Sequence, residues 1–173
     1  MEIVSMNLLM QDPTLPVIWR GPILSGVLKQ FYNDVSWGEL DYLFLDLPPG
    51  TGDMPLTVFQ VFPLNGLVVV TNPQELANLV VTKSIRMASE MKIPLIGIIE
   101  NMTHLKCPGC GEIIEVFGKS RVSENCKSQN VPYLGGIPIN PDFARLSDQG
   151  SIEDVEMPVA ISETFAIIDG KTK

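Results

Sequence analysis

Three stretches of this chain are apolar without interruption, and they are separated by segments whose apolar residues recur at helical spacing. The continuous runs are Leu43-Phe44-Leu45 leading into Asp46, Gly66–Thr71, and Ile93–Ile99. Such runs suit strands buried on both faces, as in parallel sheets. A fourth, shorter strand that ends in a loop is expected over Tyr133–Pro138. Between the strands, Pro22 is placed to open a helix through Ile23–Tyr32, since proline is tolerated in a first turn. The clearest helix is Pro73–Met91, with Asn72 as N-cap, Pro73 at N1 and Glu75 at N3. Its Ala77, Val80, Val81, Ile85, Ala88 and Met91 fall on one face, which is expected to meet the sheet. Further helices are expected over Pro141–Ser147 and Pro158–Ile168, with Gly170–Lys173 frayed. Strands alternating with long crossovers predict an α/β fold, a mostly parallel sheet with helices on both faces.

The 173 residues, 45% of them hydrophobic and 18% charged, fit one globular domain over residues 1–173. Residues 103–128 differ in texture: polar, holding every cysteine, they form an excursion from the sheet. The net charge of −8 argues against a nucleic-acid partner, because phosphate backbones select basic faces. No apolar run approaches the roughly 20 residues that span a bilayer, and Glu2 near the start gives no sign of a signal peptide. Three cysteines, two of them in one Cys-x-x-Cys, suggest a reduced, cytoplasmic setting with a metal or redox role.

Two motifs carry chemistry. Asp46-Leu47-Pro48-Pro49-Gly50-Thr51-Gly52-Asp53 follows an apolar run, where ligands of open α/β sheets bind. A carboxylate at Asp46 can hold a Mg²⁺ water, and Gly50 and Gly52 allow backbone N–H groups close to a phosphate. Asp53 is a second acid in the same turn. The alternative is a Pro-Pro-Gly turn that merely ends a strand. The second motif, Cys107-Pro108-Gly109-Cys110, supplies two thiolates, half a coordination sphere for zinc or an iron–sulfur cluster. A second chain can complete it, His104 and Cys126 can close a Cys₃His zinc site within one chain, or the thiols stay free of metal. A thioredoxin-like role fits less well, because Gly111–Phe117 reads as a strand or hairpin arm rather than a helix start.

Trp19-Arg20-Gly21-Pro22, Trp37–Tyr42, the octet 46–53, Glu100-Asn101-Met102 and Cys107–Cys110 occur in one order. That ordered set resembles the Mrp/ApbC family of P-loop ATPases, iron–sulfur cluster carriers related to the MinD and ParA proteins. The resemblance implies a P-loop NTPase-like fold, with Asp46 as the Walker B acid and Gly50, Thr51, Gly52 and Asp53 as the segment sensing the γ-phosphate of Mg-ATP. It implies Asn101 against adenine, a loop around Pro138 over the base, and a cluster, [4Fe–4S] in type, bridging a homodimer through Cys107 and Cys110 for delivery to client apo-proteins. From the residues alone Asn101 equally caps a turn, and Pro138 is equally a turn proline. Trp19 and Trp37 are expected to pack, and Arg20 to be solvated or ion-paired.

Members of that family carry a Gly-Lys-Gly-Gly-Val-Gly-Lys-Ser loop ahead of the Asp46 motif, and no Gly-Lys-Ser or Gly-Lys-Thr string precedes Asp46 here. Gly170-Lys171-Thr172 follows no strand and opens no helix. The expectation is therefore an amino-terminally truncated member with little ATPase activity. In the family fold a strand is then missing beside Tyr42–Asp46 and Gly66–Thr71, so these two either pair directly or leave edges open to association. The competing class is a non-catalytic zinc-binding structural or interaction module. A positioning ATPase of the MinD or ParA kind is disfavoured, having no need of the cysteine pair.

Overall fold

The computed structural model describes residues 2–12, 14–16 and 21–171, except for the side chains of Asn78 and Lys171. Trp19 and Arg20 lie outside the described residues. Read from sequence as one domain, the chain gathers its contacts in two compact units, Met1–Phe62 and Pro63–Lys173.

The first unit is helical: α1 (Met6–Leu9), α2 (Gly21–Asn33) and α3 (Asp53–Val61). Helix α2 covers the span expected from Pro22. It is tied to α3 by Ser25 and Thr57, whose hydroxyls lie 2.9 Å apart. Tyr32 stacks at a tilt on Phe62 with ring centroids 4.9 Å apart. Trp37 packs half-buried and donates Nε1–H to the carbonyl of Phe31 at 3.0 Å. The expected strand ending at Asp46 is not formed. Residues 42–48 have no ladder, and Phe44 is 63% exposed. An apolar run becomes a two-faced buried strand only when neighbours complete its hydrogen bonds, and no described segment pairs with this one.

The second unit holds the sheet: β1 (Leu67–Thr71), α4 (Glu75–Glu90), β2 (Leu95–Lys106), β3 (Ile113–Ile114), α5 (Val122–Ser128), β4 (Tyr133–Ile139), α6 (Pro141–Asp148), a 3₁₀ turn at Ile152–Asp154 and α7 (Val159–Lys171). Strands β1 and β4 flank β2, both parallel to it, and β3 returns antiparallel on the far end of β2. A sheet that is mostly parallel with helices around it is the expected α/β class.

A bulge at the start of β2 sets which side chains face where. Leu67 pairs with Leu95 but Val68 with Gly97, so one residue of β2 is unmatched. The alternation shifts phase, and Leu95 and Ile98 share one face while Ile96 and Ile99 share the other. The first face packs with Val69, Val122 and Cys126 against Val81 and Ile85 of α4. The second packs with Leu134 against Ile168 of α7. Helices thus cover both faces.

Several boundaries differ from the sequence expectation. Helix α4 starts at Glu75 with Gln74 as N-cap, because Asn72 Oδ1 accepts from the Gln74 amide and closes its own turn first. Its Ala88 is buried as expected, whereas Val80 is 40% exposed. Asn140 caps α6 through the Asp142 amide. Gly170 and Lys171 continue α7 rather than fraying. Strand β1 has no partner on its outer edge among the described residues, which is the open-edge outcome of the two anticipated.

Candidate functional site: the acidic turn, the bent strand and the cysteine hairpin

In the first unit the acidic octet makes a turn and then a helix start. Gly50 takes φ +95°, a conformation glycine reaches at little cost. Gly52 is the N-cap of α3 and Asp53 its first residue, so Asp53 stands at a helix entrance rather than within the turn. A carboxylate there complements the positive end of the helix. Gly21 lies against it, and a Cβ at Gly21 would sit 2.8 Å from Asp53 Oδ2. The Gly-Pro pair at 21–22 signalled a helix start; the need for glycine beside Asp53 had no signal of its own. Asp46, Thr51 and Asp53 are all exposed.

In the second unit β2 runs seven residues past Ile99, and this length organises everything else. Asn101 is inside the strand, not past its end, opposite Ile137. Its Oδ1 accepts from the Met102 amide at 2.9 Å. Met102 has φ +59°, and the pairing with β4 slips between Asn101 and Leu105, so β2 bends here. Pro138 is likewise in strand β4, not in a loop. It falls within the slipped stretch of β4, an edge strand, where a missing N–H costs no ladder bond. Asn101 and Pro138 are thereby brought side by side on neighbouring strands.

Glu100, one residue before Asn101, is 2% exposed. Its Oε1 accepts from Ser120 Oγ and its Oε2 from the Tyr133 hydroxyl at 3.1 Å. Burial pushes the Tyr133 phenol up to about 12, helped by the Glu100 charge and hydrogen bond. Burial also raises the Cys126 thiol, with the same charge adding to it. Ser120 Oγ accepts from the Val122 amide, so this carboxylate anchors the return of the 103–128 excursion to the sheet. Sequence reasoning passed over Glu100 because an acid after an apolar run looks like a strand end.

Beyond the bend, β2 and β3 form a hairpin with the cysteine pair at its tip. Lys106 pairs with Ile113 and Leu105 with Ile114. The tip is closed by the Cys107 amide to the Glu112 carbonyl at 2.8 Å and the Gly111 amide to the Cys107 carbonyl at 2.9 Å. Gly111 makes the reversal at φ +77°. The amides of Cys110 and Gly109, then the Cys110 thiol, hold the Cys107 thiol below its usual range. A nest of N–H groups around a sulfur favours thiolate, the form that ligates metal. Cys110 is exposed and Cys107 half-buried.

Among the described residues no third ligand joins them. Cys126 is buried in the core against Val69, Ile98 and Val122, and His104 Nδ1 lies 3.0 Å from Thr103 Oγ1. Among the described residues no group of three or more His, Cys, Asp or Glu side chains gathers as for a metal ion. The Cys₃His arrangement within one chain is therefore not assembled, because Cys126 is an apolar core residue on α5. No described helix is long and apolar enough to cross a membrane.

A family model described as a NUBPL iron-transfer P-loop NTPase, of the ParA group, matches residues 1–169. An iron–sulfur cluster carrier protein from Methanocaldococcus jannaschii is 45% identical over 163 residues, covering 94% of this chain and 56% of that protein. Another from Clostridium perfringens is 42% identical over 153 residues, 88% of this chain and 54% of the relative. A nucleotide-binding protein from Archaeoglobus fulgidus, solved in complex with ADP, superimposes with a TM-score of 0.71 at 45% identity. It is matched over 80% of this chain and 57% of its own. The chain thus spans about half the length of the relatives it matches.

Proposed function

This chain belongs to the iron-transfer P-loop NTPases of the ParA group, and we propose that it is the cluster-bearing part of an ATP-binding iron–sulfur cluster carrier and scaffold. Cys107 and Cys110 ligate the cargo, a [4Fe–4S] cluster, which bridges two copies of the chain. The observation that carries this reading is the hairpin tip: two accessible thiols, one biased toward thiolate by backbone amides, with no third donor from the same chain among the described residues. Such a pair is half of a four-thiolate set, and an identical pair completes it. Its exposure suits handing the cluster to client apo-proteins.

The nucleotide roles follow the family residue by residue. Asp46 holds a Mg²⁺ water; Gly50, Thr51 and Gly52 present backbone amides to the γ-phosphate; Asp53 at the start of α3 responds to its loss. Asn101 meets adenine, and Pro138 beside it lies against the base. The archaeal relative solved with ADP supports nucleotide as the ligand class. Phosphate affinity in such proteins comes mainly from a glycine-lysine loop, which this sequence does not contain, so the 173-residue chain by itself turns over little or no ATP.

Anaerobic reconstitution with iron and sulfide tests the cargo assignment. The expected result is a cluster absorption band with half a cluster per chain, lost in Cys107→Ser or Cys110→Ser. One zinc per chain that iron and sulfide cannot displace would instead make the chain a zinc-binding structural module and sink the carrier reading.

A further inference from the structure

The hairpin that presents the cysteines is held to the sheet differently on its two arms. The outgoing arm continues β2 and is supported by β4 even beyond the bend at Met102. Leu105 stands opposite Ile139, and a Cβ at Gly136 would lie 2.7 Å from Thr103 Cγ2. The returning arm lacks such support. Its strand β3 is two residues long, residues 111–119 are all exposed, and a bare two-stranded hairpin is marginal in water. Among the described residues, the first hydrogen bond from this arm to the sheet beyond β3 is Ser120 Oγ to Glu100 Oε1. Cys107 directly follows the supported arm, whereas Cys110 stands on the way back, just ahead of β3.

We infer that Glu100 is a positioning residue for the metal pair: by holding Ser120 it seats the returning arm, and so keeps Cys110 in place beside Cys107. The inference rests on the reading of Cys107 and Cys110 as metal ligands. Ligands already ordered before they bind lose less freedom on binding. With the bond broken, β3 frays and Cys110 leaves its metal more often. Retention of metal thus depends on a buried carboxylate that never touches it.

The same carboxylate supplies a matched control. Its other oxygen accepts from Tyr133 on β4, a strand outside the excursion. Loss of either hydroxyl leaves Glu100 short of one donor, but Ser120 alone of the two lies on the cysteine arm. Zinc is the probe, since thiolates hold it without redox chemistry. Its release from the loaded chain to a chromogenic chelator should be about threefold to tenfold faster in Ser120→Ala. Tyr133→Phe and Ser120→Thr, which keeps the hydroxyl, should stay within about twofold of the parent. Ser120 Oγ also accepts from the Val122 amide. Glu100→Leu leaves that second bond in place and should release zinc as fast as Ser120→Ala. Far-UV spectra matching the parent confine the comparison to folded variants. In the metal-free parent, the Cys107 and Gly111 amides close the tip and should exchange about tenfold or more slower than in a free peptide, a readout needing no variant.

Parental release from Ser120→Ala overturns the positioning role and leaves the metal site standing. Release quickened equally by Tyr133→Phe also overturns it, since the carboxylate then acts through general stability. Parental release from Glu100→Leu beside fast release from Ser120→Ala assigns the effect to the Val122 bond and removes Glu100 from it. Free-peptide exchange at the tip overturns it without any substitution. Zinc uptake unaffected by Cys107→Ser with Cys110→Ser would instead sink the metal reading itself, and the inference with it.

Discussion

Glu100 shows how one side chain can hold two parts of a unit in register. Each carboxylate oxygen has one donor, Ser120 from the excursion and Tyr133 from β4, and no buried side-chain polar atom among the described residues is left without a partner. Removing a donor is costlier than the bond's net worth, because the remaining charge stays buried. Tyr133→Phe is therefore expected to lower stability by about 1 kcal/mol, toward the low end of that penalty because the tyrosine is itself 37% exposed and water reaches its edge. The pH dependence has a definite sign. The folded pKa of Tyr133 is raised to about 12, above the ordinary value near 10, so the neutral phenol is the stabilising form. Its contribution is complete below about pH 10 and fades as pH rises through about 12. Phenolate absorbance should show a step near pH 12, and that step should vanish in Tyr133→Phe. A titration unchanged by the substitution would refute the assignment.

At the scale of elements, sequence periodicity found what local packing decides and missed what pairing decides. Strand β1 was legible as a continuous apolar run, and helices α2, α4, α6 and α7 from the spacing of their apolar residues; strand β4 and the hairpin arm after Gly111 were legible as short apolar stretches. The run 43–45 looked the same as the true strands, but a ladder depends on neighbours that a run cannot report. The length of β2 was hidden for the converse reason. Thr103-His104-Leu105-Lys106 is polar enough to read as loop, and pairing with β3 and, at Leu105, with β4 makes it strand. Of the site residues, the cysteine pair was fully legible from spacing, whereas Asn101 and Pro138 were assigned to loops because a bulge and an edge strand can hold them only once β4 lies beside β2. The approach of those strands is testable at Gly97. A Cβ there would come 2.6 Å from Leu134 Cγ and 2.7 Å from the Pro132 carbonyl oxygen. Backbone cannot step aside as a side-chain tip can, so Gly97→Ala should cost about 1–3 kcal/mol by overpacking. Gly26, mid-helix in α2 with nothing within 4 Å of where a Cβ would stand, should respond oppositely, gaining roughly 0.5–1 kcal/mol as alanine. Urea unfolding of the two variants measures both; a Gly97→Ala variant as stable as the parent would mean that β2 and β4 are not so closely apposed.

For the whole molecule, the arrangement of stability bears on whether metal is cargo or scaffold. The sheet's apolar clusters lie along β1, β2 and β4 under α4, α5 and α7, and no residue between Met102 and Lys119 is buried. The cysteine hairpin is hung on this core by the continuation of β2 and by the Glu100–Ser120 bond, not by metal. The two thiols are also only three residues apart, so an unfolded chain keeps much of their affinity for zinc, and binding to the unfolded state cancels stabilisation by linkage. Stripping metal with a chelator should accordingly leave the far-UV spectrum and a cooperative melt in place. The midpoint should fall by no more than about 4 °C, the shift expected for about 1 kcal/mol in a chain of this size. A structural zinc domain behaves differently, since its binding energy is folding energy and chelation unfolds it. Thermal melts before and after chelation, on chain loaded with zinc and with cluster, make the comparison. Collapse of the far-UV signal on chelation would place the metal inside the fold's own stability and turn the cargo reading into a structural one.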